Sequence, residues 1–250
     1  MAVVKFLGQS AFEITTSDSK RIYLDPWLDS NPVSPIKVKD IQGADVVCVT
    51  HGHSDHLGDA IEIVRQTGAT LVCSPEIGFY AEKFGIIYDQ GSFPLHVGGS
   101  AEVRGITIHA TNAVHGSEVY GPDWVRGNPA YPGAGCLGFV IEVERGVRVY
   151  HAGDTALFGD MCLIAELYQP TIALLPIGGR YTMDCEQAAL AAQLLKPEVV
   201  VPMHYNTFEN EQRADPAEFA RLVAEKAPQA RVVILQPGET YECSPAAVST

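Results

Sequence analysis

The chain alternates between short apolar, β-branched runs and longer stretches whose apolar positions recur at helical spacing. Residues 3–7, 11–15 and 21–24 are β-rich runs parted by Gly8-Gln9-Ser10 and by Thr16-Ser17-Asp18-Ser19, which predicts an antiparallel meander. After a Pro-rich loop the rhythm changes. Asp45 to Thr50 reads as a buried strand, Asp59 to Gln66 as a helix stopped at Gly68, and 70–73 as a strand, after which Pro75 opens a helix to about Phe84. The pattern then returns. Strands are expected at 105–111, 138–144 and 147–151, a helix at 158–168, a strand at 171–176 and a helix at 184–196. A strand at 199–204, a helix from Asp215-Pro216 to about Lys226 and a closing strand at 231–235 complete the chain. Both halves open with strands and continue as strand–helix alternation. Two mixed sheets packed face to face with helices outside satisfy that pattern, an α/β fold. Residues 116–135 hold repeated Gly and Pro, with Trp124, Arg126 and Tyr131 among them, and predict no regular element. A structureless stretch of that length in a compact domain points to a lid or binding loop.

Composition narrows the class. At 250 residues the chain suits one α/β domain spanning 1–250, and 46% hydrophobic against 19% charged residues allows a large core. The formal net charge of −13 argues against nucleic acid as a partner, since affinity for a polyanion comes mainly from Lys and Arg at phosphates. The six cysteines form no C-x-x-C pair and read as buried free thiols, which suits a reducing cytoplasm. The first residues, soon broken by Gly8, do not read as a signal peptide, and no apolar run approaches the roughly 20 residues of a membrane span. The expectation is a cytoplasmic protein with a small-molecule substrate and no membrane partner, self-association into a homo-oligomer being left open.

Candidate chemistry centres on His51-Gly52-His53-Ser54-Asp55-His56, on the loop after the 45–50 strand. Neutral imidazole nitrogen and carboxylate oxygen are the donors that borderline divalent metals take. Further ligand types, Asp25, His115, Asp154 and His204, each follow the end of an expected strand. In this reading His51, His53 and His115 hold one ion, Asp55, His56 and His204 hold a second, and Asp154 bridges them. Zn2+ is the first expectation for both, with Mn2+, Ni2+ or Fe2+ as alternatives. His109 and His96 read as structural or surface residues. His151 is placed to orient Asp154 through a hydrogen bond, or is simply buried. Arg180, after Gly178-Gly179, suits either a substrate carboxylate or phosphate or a surface ion pair. Gly178 and Gly179 themselves, and Trp124 and Arg126 in the 116–135 loop, are candidate substrate contacts. Gln9 and Ser10 border the site or serve only the turn.

The T-H-x-H-x-D-H signature resembles that of the metallo-β-lactamase superfamily. With it go Tyr150-His151-Ala152-Gly153-Asp154-Thr155, Leu175-Pro176-Ile177-Gly178-Gly179 and Pro202-Met203-His204-Tyr205-Asn206-Thr207-Phe208. From the first strand to Gly238, the chain is similar to the UPF0173 metal-dependent hydrolases, related to L-ascorbate-6-phosphate lactonase. The resemblance implies a four-layer αββα sandwich with a dinuclear site at one edge, the ligand roles above, and Asp25 supporting the ligands from behind. Class B β-lactamases carry Cys where Asp154 stands and do not use the equivalent of His56 as a ligand, so antibiotic hydrolysis is not expected. The implied activity is lactonase- or esterase-like: a bridging hydroxide cleaves a small ester or lactone and Asp55 shuttles the proton. The alternatives are a phosphodiesterase or nuclease of the same fold, which the acid-rich composition disfavours, and an iron-dependent redox protein. The His-rich set, with no Glu in the hexapeptide, suits redox-inert metals better.

Overall fold

The computed structural model describes residues 1–209 and 213–243. The opening meander forms as β1 (Ala2–Gly8), β2 (Ala11–Thr15) and β3 (Arg21–Leu24), each antiparallel to the next. The chain then adds β4 (Val46–Cys48), β5 (Thr70–Cys73) and β6 (Ser92–Pro94), all parallel. The crossovers carry α1 (Ala60–Thr67) and α2 (Pro75–Ala81), α2 running on into a 3-10 turn at Glu82–Phe84.

The second half repeats the plan. β7 (Ser100–Val103), β8 (Ile106–Ala113), β9 (Cys136–Glu144) and β10 (Val147–His151) are antiparallel. β11 (Ile172–Pro176), β12 (Val199–Met203) and β13 (Arg231–Val232) follow in parallel. Between them lie α3 (Met161–Tyr168), α4 (Cys185–Leu195) and α5 (Pro216–Lys226). The last strand, β14 (Thr240–Cys243), returns to pair antiparallel with β1. Among the described residues each sheet has seven strands, ordered β14-β1-β2-β3-β4-β5-β6 and β13-β12-β11-β10-β9-β8-β7.

Three apolar clusters account for the layers. Val4, Phe12, Ile14, Val46 and Cys48 of the first sheet meet Ile108, Phe139, Ile141, Val149 and Val201 of the second. The intervening Val47 and Val49 face the other way and pack with Ile61, Ile63 and Ile77 of α1 and α2. Tyr150, Ala173, Leu175 and Val200 likewise pack on Met161, Ala188, Ala192 and Phe219 of α3, α4 and α5. Alternate residues of one strand thus serve two interfaces, and the fold is an αββα sandwich.

Three short strands were not legible in the pattern: β6 and β7 at the adjoining sheet edges and β14. Edge strands are short and need only one apolar face, so little periodicity is left to read. The expected closing strand at 231–235 shrinks to two residues for the same reason. All six cysteines are free, and Cys162 alone among them is exposed.

Candidate metal centre

All seven expected ligands sit on loops at strand C-terminal ends, and these ends meet at one edge of the sandwich. His51, His53, Asp55 and His56 follow β4, His115 follows β8, Asp154 follows β10 and His204 follows β12. Donor atoms of His51, His53 and His115 lie within 4.8 Å of one another, as do those of Asp55, His56 and His204. A third such group, His51, His56 and Asp154, joins the two. Asp154 spans them: Oδ1 is 3.2 Å from His56 Nε2, and Oδ2 is 3.0 Å from His204 Nε2 and 3.6 Å from His115 Nε2. Asp55 Oδ2 is 3.6 Å from both His56 Nε2 and His204 Nε2.

Asp25 fixes two imidazoles from behind. Its Oδ1 accepts from Thr50 N at 2.8 Å, and its Oδ2 accepts from Thr50 Oγ1 and from His56 Nδ1, both at 2.7 Å. The Thr50 hydroxyl has one proton and gives it to Asp25, so toward His51 Nδ1, 3.0 Å away, it acts as acceptor. Both rings are thereby set with N–H on Nδ1 and the Nε2 lone pair facing the cluster. Asp25 and His204 hold left-handed backbone, φ 43° and 57°, a conformation that costs a non-glycine residue about 1–2 kcal/mol.

The electrostatics follow from burial against this arrangement. Burial alone would lower His56, but the carboxylates of Asp154, Asp55 and Asp25 hold it well above its ordinary value. His204 is pushed up to about 9 in the same way, burial being outweighed by Asp154 and Asp55. Burial and the neighbouring His56 push His51 well below its ordinary value. Asp154 and Asp55 stay below the carboxylate range: burial opposes this, but the imidazoles of His56 and His204 prevail. The acids therefore set negative charge against these rings, the complement of a bound cation.

Buried atoms without hydrogen-bond partners test whether a metal fits. They include His51 Nε2, His56 Nε2, His204 Nε2 and Asp154 Oδ1. Left unsatisfied, such atoms cost about 1–3 kcal/mol each. They are the inward-facing donors of the cluster, and a cation is the partner that would satisfy them together.

The remaining expected residues fall outside the cluster. His151 does not bond Asp154. Its Nδ1 accepts from Gly153 N at 3.1 Å and its Nε2 donates to Ser10 O at 2.9 Å, so it reaches Asp154 only through the backbone. Gly153 is needed there: it holds φ 62°, and a Cβ would stand 2.5 Å from Leu137 O. Gly178 is buried and Gly179 exposed, the Gly179 amide bonding Met183 O at 3.0 Å. Arg180 is exposed, with its guanidinium 4.9 Å from the centre of the Tyr181 ring. Trp124 stacks edge-on with Tyr120, whose ring lies 5.5 Å from that of His53, and Arg126 is exposed in the same segment. Gln9 does border the site, donating from Nε2 to Asp55 Oδ2 at 2.9 Å, while its carbonyl accepts from His204 N. His109 is half-buried, bonding Ser100 Oγ at 2.7 Å, and His96 is exposed.

Thr50 and Glu118 are contributors that sequence reasoning did not single out. Thr50 directly precedes the hexapeptide and opens the T-H-x-H-x-D-H signature, which marked its place and not its role. Glu118 Oε2 lies 3.2 Å from His53 Nε2 across 65 residues of chain, and no spacing could have announced it.

Known proteins resemble the chain over nearly its whole length. Residues 20–205 match the family model described as the β-lactamase superfamily domain. The chain is 45% identical to a UPF0173 metal-dependent hydrolase of Rubrobacter xylanophilus, over 94% of both chains. It is 46% identical to one of Methanopyrus kandleri, covering 96% of this chain and 99% of the other. The solved structure of Igni18, a metallo hydrolase from Ignicoccus hospitalis, superposes with a TM-score of 0.80 at 42% identity, covering 97% of this chain and 99% of that one. Fold and sequence agree, and the chain belongs to the UPF0173 metal-dependent hydrolase family of the metallo-β-lactamase superfamily.

Proposed function

We propose that this metal-dependent hydrolase uses two divalent cations to cleave a small carboxylic ester or lactone. The buried, unpartnered donors at the centre of the cluster carry this reading. His51, His53 and His115 would hold one cation, Asp55, His56 and His204 the other, and Asp154 both. Divalent cations there would supply Lewis acidity, bringing the pKa of water near neutrality and polarising the substrate carbonyl.

The chain's own groups do the rest. Asp55, held by Gln9 through Oδ2, would take the proton of the attacking water and return it to the leaving alkoxide. Asp25 and Thr50 keep the lone pairs of His51 and His56 turned inward. Low charge at the substrate suits a rim that carries the exposed carboxylate of Glu118 and the rings of Tyr120 and Trp124. The net charge of −13 opposes a polyanionic substrate.

The test is metal-stripped protein reloaded with Zn2+ or Mn2+ and assayed on p-nitrophenyl acetate, a five-membered lactone and bis(p-nitrophenyl) phosphate. Ester or lactone turnover is expected, with two ions per chain by elemental analysis. Asp154→Ala should abolish it, and Asp55→Ala should lower it about 10²–10⁴-fold. Turnover of the phosphodiester alone would overturn the substrate class, and a single ion per chain the dinuclear reading.

A further inference from the structure

His51 and His56 each have one ring nitrogen held from the core, by Thr50 and Asp25. His53 is held from outside. Its Nε2 faces Glu118 Oε2, and the two side chains are 23% and 53% exposed. An imidazole that donates Nε2–H to a carboxylate keeps Nδ1 as its only lone pair. The ring nitrogen of His53 available to the His51–His53–His115 group is then Nδ1, and Glu118 sets it.

Glu118 belongs to the 116–135 segment, and that segment is built onto two surfaces. On the side of the ligand loop, Tyr120 N donates to Gly52 O at 2.8 Å. Val119 is buried so tightly there that a Cβ on Gly52 would come within 2.7 Å of its Cα. On the side of α2, Glu76 Oε1 accepts from Ala134 N at 2.8 Å. Tyr80 donates to Asp123, Lys83 bonds the Tyr131 hydroxyl, and the Lys83 ammonium lies 3.5 Å from Asp123. Val119 N bonds Tyr131 O at 2.9 Å, closing the strap on itself.

We propose that Glu118 is the positioning residue of His53, and that through it the 116–135 strap is energetically coupled to cation binding. The inference rests on the reading that the cluster takes divalent cations. Outer partners of ligand histidines fix the tautomer and ring orientation, and their loss typically weakens metal binding 10–100-fold. Here that partner rides on a surface strap, unlike the core-borne Asp25. Coupling between two sites is reciprocal, so a cation that tightens the strap is itself held by the strap's anchors.

The test titrates Zn2+ into metal-free protein against a competing chelator and follows amide hydrogen exchange at Val119 and Tyr120. In the wild type, Zn2+ should slow exchange at both amides. Glu118→Ala should weaken one Zn2+-binding step about 10–100-fold and remove that protection. Glu118→Gln, which keeps an acceptor oxygen, should restore part of both. Asp123→Ala, an anchor remote from the cluster, should weaken the same step several-fold and serves if Glu118→Ala folds poorly. Wild-type affinity in Glu118→Ala, no rescue by Glu118→Gln, or exchange insensitive to Zn2+ would each overturn the proposal. A wild type that binds no Zn2+ would instead sink the functional reading beneath it.

Discussion

Asp59 and Asp184 occupy the same place in the two halves of the molecule, at the N-cap of the helix after the first parallel strand. Asp184 caps α4: its side chain accepts from Gln187 N at 2.8 Å. Asp59 makes no cap bond to α1. Its Oδ2 turns to the loop after β3 and accepts from Leu28 N at 2.6 Å and Asp29 N at 2.9 Å. The same contrast holds one strand earlier. Asp25 after β3 lies behind the histidines as a hydrogen-bond acceptor, whereas Asp154 after β10 stands among them. A shared topology thus carries different chemistry, and the first half gives up local helix stability to hold the loops that present donors.

Three substitutions would break or sharpen this contrast. Asp25→Ala should have the largest effect, since it removes the acceptor of Thr50 and His56 in a fully buried place. A loss of about 3–5 kcal/mol in urea unfolding of the metal-free protein is expected. Asp59→Ala leaves the buried Leu28 amide unpaired and should cost about 1–3 kcal/mol, with a measurable loss of Zn2+ affinity through the loop that carries Asp25. Asp184→Ala should cost only the cap, about 1 kcal/mol, and leave Zn2+ affinity unchanged. Equal effects of the two helix-cap substitutions on Zn2+ binding would erase the distinction between the halves.

Legibility in the sequence divides along the same line. The first half packs His51, His53, Asp55 and His56 into six residues after a β-branched run, so cluster and strand-end location were both readable. In the second half His115, Asp154 and His204 stand alone in sequence, and only strand-end placement and family resemblance linked them. Of the geometry that gives these donors their direction, only the support of Asp25 from behind was implied, and that by family resemblance. The hydrogen-bond chain from His51 through Thr50 to Asp25 needs two strands side by side, β3 and β4. Glu118 lies in a stretch whose Gly and Pro content signals irregular backbone and nothing about where that backbone goes. His151 shows the limit from the other side, since three residues' proximity to Asp154 could not tell a side-chain bond from a backbone one.

The pairing of β14 with β1 bears on how the molecule is made. Among the described residues Ala2–Gly8 finds its outer neighbour in Thr240–Cys243, so a nascent chain leaving the ribosome carries an unpaired sheet edge until Cys243 has emerged. Contacts of such long sequence separation form late and slowly, and an exposed edge meanwhile invites other strands. A chain cut before Thr240 would keep His51 to His204 in place and carry an adhesive margin on its first sheet.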